Sequence, residues 1–288
     1  MKNLLLINRS VLVFSLLIPL FVSCGSEKHE FKYVFEPGES LVYSVSSRLR
    51  KTLLKENGEA DTEETESVTG KIVISPESSY EKGCWLSVGY DSLYAENSDI
   101  PGVRLIPENY GEKGPALLLN PRGDILDIRD ENDLPSDNSA EADIVRMFIK
   151  AFPLLPHVSA GKGYSWDRVQ EYPVENGLMK GKTKVYKKYK IESLYTEDGR
   201  QMARISTNLM MKTYFSENEE EFSIAYSKQD PKGIYGTGSI VFDVTGGVIM
   251  KSVATLTGVV AVRFRNPVKD RIITRNIRVF QKFNAEKI

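Results

Sequence analysis

Four side chains in this sequence are of the kinds that most often act as nucleophiles, acid–base groups or zinc ligands: Cys24, Cys84, His29 and His157. Their spacing does not combine them into a site. No zinc-protease, Cys-x-x-Cys or Gly-x-Ser-x-Gly pattern occurs, and His157, after Pro156, has no partner at a motif distance. Gly233, Gly236 and Gly238 precede a strand-like run and lack the Lys-Ser/Thr of a phosphate loop. Carboxylates alone can hydrolyse glycosides, but among 39 acidic residues no pair stands apart. Asp124, Asp127, Asp130, Glu131, Asp133 and Asp137 could offer oxygen to Ca²⁺, yet they lack the spacing of a calcium hand. Ile125, Leu126 and Ile128 interleave with them as a strand requires. Arg122-Gly123-Asp124, the tripeptide that integrins recognise, sits at a Pro-containing hairpin and reads as turn chemistry. The expectation is a chain with no catalytic residue, no metal site and no cofactor.

Cys24 is different, because its neighbours define its chemistry. Lys2 and Arg9 form a basic head, and the apolar run Val11 to Val22 is broken only by Ser15 and Pro19. Twelve residues are too few for a membrane-spanning helix, which needs roughly 20. Basic head, short apolar run and small-residue exit describe a signal peptide over residues 1–23. Phe21-Val22-Ser23-Cys24 resembles the bacterial lipobox, with Phe21 where Leu is usual. That resemblance implies cleavage after Ser23 and a diacylglycerol thioether on Cys24. Each buried methylene contributes about 0.8 kcal/mol, so two or three acyl chains make an anchor that one chain does not. Gly25, rather than Asp, follows the cysteine, which in enteric bacteria favours the outer membrane. The expected setting is the cell envelope, with the membrane as first partner.

With Cys24 acylated, Cys84 is the remaining thiol and no internal disulfide forms. Beside Trp85 it reads as a buried strand residue. Loss of Lys2 and Arg9 leaves three more acidic than basic residues, which gives no electrostatic case for nucleic acid.

The elements that would carry any site read as mainly β. Residues 24–30 form a lipidated tether. Leu41 to Ser46, Lys71 to Ile74, Trp85 to Tyr90 and Ala116 to Leu119 read as strands. Longer ones follow at Lys182 to Leu194, Gln201 to Phe215, Phe222 to Lys228, Gly236 to Asp243, Val248 to Phe264 and Arg271 to Phe283. The acidic stretch Glu56 to Glu66 reads as a solvated loop. One helix is expected: Asn138 and Glu141 make a capping box, and Pro153 ends the run. Its apolar face is Ile144, Val145, Met147, Phe148, Ala151 and Phe152. The polar residues are not notably basic, so this face is expected to pack on a sheet rather than on a membrane surface.

Two stretches share one layout. Gly38-Glu39 precedes a strand with Tyr43, and Gly161-Lys162 precedes one with Trp166. The turn at Asn120 to Asp124 corresponds to that at Asp243 to Gly247, and the offset is 123 positions throughout. The expected architecture is two tandem curved antiparallel sheets or half-barrels: residues 31–153, ending in the helix, and 154–288. Pro37-Gly38-Glu39, Tyr43 and Val241-Phe242-Asp243…Gly247 resemble a group of uncharacterised bacterial lipoproteins. More remotely, the layout resembles the periplasmic lipoprotein-carrier fold, a curved sheet around a helix. That resemblance implies an apolar cavity for acyl chains. The expected function is non-catalytic binding of a lipid or acyl chain between sheet and helix. The other reading is a structural or assembly lipoprotein that binds another envelope protein.

Overall fold

The structure, a computed structural model, describes residues 27–80, 82–98, 100–106, 116–129, 148, 152–176, 179–215, 222–226, 233–266 and 271–288. The signal segment and Cys24 lie outside the described residues. So does the expected helix, apart from Phe148, which has helical backbone, and Phe152.

Among the described residues the regular structure is thirteen strands: β1 (Leu41–Leu54), β2 (Ala60–Tyr80), β3 (Gly83–Asn97), β4 (Ile100–Ile106), β5 (Ala116–Leu119), β6 (Ile125–Arg129), β7 (Ser165–Asn176), β8 (Met179–Glu197), β9 (Arg200–Phe215), β10 (Phe222–Tyr226), β11 (Ile234–Asp243), β12 (Val248–Asn266) and β13 (Arg271–Lys287). Alternation explains them. In β1, Tyr43 and Val45 are buried while Ser44 is exposed, and β11 alternates the same way from Tyr235 to Ile240. The acidic stretch is a loop only to Glu59. From Ala60 onward it is strand, because Glu63 finds Thr52 and Arg50 across the ladder and Glu64 accepts from Asn97. Cross-strand partners of this kind let carboxylates sit on a sheet face.

All strands join one antiparallel sheet, in the order β6-β5-β3-β2-β1-β13-β12-β11-β9-β8-β7, with β4 on β3 and β10 on β12. The order of the first six strands repeats in the next six, apart from the fourth of each set. The two expected sheets are therefore continuous. The cause is β13, which pairs with β12 on one side and along twelve positions with β1 on the other, from Tyr43↔Lys287 to Leu54↔Asn276. Without that seam each set would present a long unpaired edge.

The sheet is open by strand pairing but strongly curled at one end. Residues 29–34 cross there as an extended strap, with His29 bridged to Ala160. Consecutive amides donate to two different hairpin turns: Tyr33 N to Pro121 O at 2.8 Å, and Val34 N to Gly247 O at 3.1 Å. On a flat sheet β5 and β12 would lie five strand spacings apart, about 24 Å. The strap holds their turns within about 10 Å. The two edges meet through residues 152–160. Leu155 N donates to Arg122 O beside β6, while Leu154 O accepts Trp166 Nε1 of β7 at 2.6 Å. His29, expected in the tether, is already fixed here.

Beneath this crossing lies the core. Phe31, Tyr43, Tyr189, Phe242 and Leu154 are fully buried, and Phe148 packs on Tyr43 at 5.1 Å between ring centres. Each such side chain contributes about 1.5–3 kcal/mol by burial. Farther from the curled end β11 and β12 approach closely at two glycines: Cβ atoms at Gly236 and Gly258 would collide with the carbonyl oxygens of Thr255 and Gly233. Glycine lets neighbouring backbones approach this closely where a sheet bends.

Candidate functional site

Strand register fixes which side chains share the inner face. One rung runs Arg168–Lys187–Leu209–Gly236–Leu256–Gln281–Leu49 across seven strands. The rung nearer the curled end runs Trp166–Tyr189–Thr207–Gly238–Ala254–Phe283–Ser47 and merges with the core. The rung on the other side runs Gln170–Val185–Met211–Ile234–Gly258–Val279–Lys51. Leu49, Leu209 and Leu256 on the Arg168 rung, and Met211, Ile234 and Val279 on the Gln170 rung, are only half-buried. The outer face at matching positions carries Arg48, Thr237, Asn208, Lys188 and Lys282, all exposed. The sheet thus has a concave wall that runs from a closed aromatic core into accessible aliphatic surface, and a convex side on which that polar rung borders one carrying Val169, Tyr186, Met210, Tyr235 and Phe280. Such a wall can take apolar area out of water at roughly 25 cal/mol per Å².

The sequence candidates fall as follows. Cys24, Ile144, Val145 and Met147 lie outside the described residues. Phe148 and Phe152 are buried, 5.4 Å apart edge-to-face, and Phe152 also packs on Tyr33. Both therefore face the concave side. His157 is exposed, and His29 Nε2 lies 3.8 Å from Glu27. Cys84 is buried, and burial, then the nearby Glu77 charge, pushes its thiol pKa upward. A thiol held protonated is a poor nucleophile. No group of three metal-ligating side chains occurs among the described residues. Arg122 and Asp124 shape their turn: Arg122 donates to Phe31 O and Glu30, and Asp124 accepts from Asn120 Nδ2.

Two buried tyrosines bond across the curled end, one from the strap to the segment 152–160 and one from β1 to β12. Tyr33 donates to Pro153 O at 3.1 Å and Tyr43 to Ile249 O at 3.0 Å. Burial raises the pKa of both, and for Tyr33 the neighbouring Tyr189 and Tyr43 add to it.

A cavity of about 360 Å³ lies at the curled end, lined by Phe35, Leu41, Val248, Arg200 and Asp243. Asp243 is fully buried and accepts from Gly246 N at 2.8 Å and from Arg200 at 3.3 Å. Its carboxylate holds the β11–β12 turn. This cavity is not the sheet–helix space that the sequence pattern suggested for a ligand.

Sequence reading missed Arg168 and Lys187. A signal was present: from Val185 to Ile191 the inward positions read Val-Lys-Tyr-Ile, which puts a lysine in an apolar phase.

No family model matches the chain, and no curated protein matches it. A solved structure concerned with lipid–protein interactions in lipovitellin is similar over 88% of this chain, at 12% identity and a TM-score of 0.47. The match covers 25% of that protein's chain, so this chain corresponds to about a quarter of it. At that degree the likeness says nothing of what this chain binds.

Proposed function

We propose that the protein is a non-catalytic lipoprotein of the cell envelope, anchored through Cys24 in the outer membrane, that binds a lipid or acyl chain on the concave wall. The observation that supports this reading is the wall itself: half-buried aliphatic side chains in consecutive rungs, continuous with the core. Soluble proteins rarely leave connected apolar surface of that kind without a partner for it. The anchor rests on the lipobox-like Phe21 to Cys24. The strap begins at His29, five positions after Cys24, so the curled end would stand within about 17 Å of the acyl glycerol. The accessible wall would then lie toward the far end of the body.

The test is native mass spectrometry of the body from Gly25 onward, which holds every described element, after export into an envelope. Retained lipid is expected, and Leu256→Glu with Val279→Glu should abolish it without unfolding the sheet. A body that carries no lipid and takes up none from vesicles would end this reading.

A second reading, an assembly lipoprotein that binds another envelope protein, has its own support. Leu126 and Ile128 on edge strand β6 and Val169 on edge strand β7 are exposed, Val169 at 55%. Edge strands with apolar side chains can accept a strand from a partner. Crosslinking in intact cells separates the two, since a stable protein adduct at β6 or β7 favours this one.

A further inference from the structure

The convex face carries a row of aromatic rings with a regular period. Across β8, β9, β11, β12, β13 and β1 one outer rung runs Tyr186–Met210–Tyr235–Thr257–Phe280–Arg50. Its rings stand on every second strand, with a non-aromatic side chain between each pair. Two strand spacings are about 9.6 Å, and the row from Tyr186 to Phe280 covers about 19 Å. Tyr235 is 41% exposed, Tyr186 and Phe280 are half-buried, and Arg50 lies over the Phe280 ring at 5.3 Å. Charge falls beside the rings. The next outer rung toward the curled end bears Lys188, Lys282 and Arg48, all exposed, against one carboxylate, Asp167. The rung on the other flank bears Lys212 and Arg278, and its Glu171 is already held by Lys182 and Lys184 at 3.2 and 2.6 Å. The whole chain has a formal charge of −1, so cations are gathered around this row.

We infer that this row binds an extended β-1,4-linked polysaccharide that bears carboxylates. Sugar rings in such a chain present C–H faces that pack flat on aromatic rings, and the two-strand period is close to the length of one disaccharide. Rings at that period meet sugars that all turn the same face toward the sheet. Carboxylates along the chain lie over the flanking lysines and arginines, with Arg50 at one end of the row. Connected apolar surface rimmed by polar residues marks an interaction site, and shape as well as charge selects the occupant. A flat bilayer touches a convex face over only part of the row, whereas a polymer one sugar wide follows it around the bend. The row lies on the opposite face from the lipid-binding wall and stands or falls independently of it.

The experiment is fluorescence anisotropy of tagged six-sugar chains titrated with the full chain in phosphatidylcholine nanodiscs. The probes are β-linked mannuronate, with a carboxylate on every sugar; β-linked mannohexaose, its neutral counterpart; and α-linked maltohexaose, which coils. Expected is saturable binding of mannuronate about fivefold or more tighter than mannohexaose, with the gap narrowing as salt rises, and no binding of maltohexaose. Tyr235→Ala should weaken both β-linked probes about tenfold, and Tyr235→Phe should keep them. Lys188→Gln with Lys282→Gln should bring mannuronate down to the level of mannohexaose and leave mannohexaose unchanged. All three side chains are exposed, so these variants keep the sheet. Equal binding of mannuronate and mannohexaose overturns the preference for acid. Binding of maltohexaose as tight as mannohexaose, or undiminished binding by Tyr235→Ala, overturns the aromatic row as the site. Failure of both β-linked probes overturns the inference outright; labelling of Tyr235 by a diazirine-bearing phosphatidylglycerol in the disc, or a crosslink there between two copies of the chain, then names the bilayer or a second copy as the occupant.

Discussion

Alanine at Gly247 tests whether the strap binds the curled end together. Gly247 has φ +67°, and a Cβ there would lie 2.6 Å from Val34 N and 2.8 Å from Lys32 O. The left-handed backbone alone costs a non-glycine residue about 1–2 kcal/mol. Relief of the collision must push the strap outward and break the Val34 N to Gly247 O bond, for about 1 kcal/mol more. Strain in what remains brings the expected loss to about 3 kcal/mol. Gly199→Ala is the control: φ is +75°, but nothing lies within 4 Å of its Cβ position, so only the backbone cost of about 1–2 kcal/mol applies. Gly123→Ala should match Gly247→Ala, since its Cβ would meet Pro153 O at 2.6 Å and the Tyr33 ring at 2.9 Å. Both turns hold the same segment, so the double variant should lose about 4 kcal/mol rather than the sum. Urea unfolding of the soluble body, read as a midpoint shift at unchanged slope, gives each value. If Gly247→Ala costs no more than Gly199→Ala, or the double variant is additive, the strap does not couple the two turns.

Alkaline pH should destabilise the fold through Tyr33 and Tyr43. Burial raises both folded-state pKa values above the unfolded value of about 10, so the unfolded chain loses these protons first. Stability is full below that pH and falls as pH rises through the folded values. Tyr43→Phe should cost about 1 kcal/mol at neutral pH, from the lost bond to Ile249 O, and flatten the decline above pH 10; an unchanged slope would contradict the assignment. Cys24→Ser should move the exported protein from the membrane fraction to the soluble fraction. Retention of that variant on the membrane would remove the acyl anchor from the proposal.

How much of this was legible depends on range. Alternation in Leu41 to Ser46 or Lys182 to Leu194 is a local property, and those strands stand where the pattern put them. The matched turns at Gly123 and Gly246 were visible as a spacing, because a tight hairpin needs glycine wherever it occurs. Their common occupant was not, since Tyr33 and Val34 bind turns at residues 121 and 247 and no local pattern encodes that meeting. The seam was hidden for the same reason. Arg271 to Phe283 reads as one more amphipathic strand, and nothing in its own residues tells that it pairs with Leu41–Leu54. The acidic stretch was misread because charge suggests solvent, whereas Glu63 and Glu64 gain partners only once β1 and β3 lie alongside. Lys187 was overlooked because one lysine among several in Met179–Glu197 looks ordinary until register shows which face it occupies.

The seam between β1 and β13 also sets an order of events during biogenesis. It links position 43 to position 287 and lies near the middle of the sheet, so the last strand in sequence completes the centre rather than an edge. Contacts at such separation form late and slowly. Until β13 arrives, β1 and β12 are both bare edges with apolar inner faces, a condition prone to aggregation. Under the export proposed above, the same order keeps the first strands from a finished sheet until the remainder has followed.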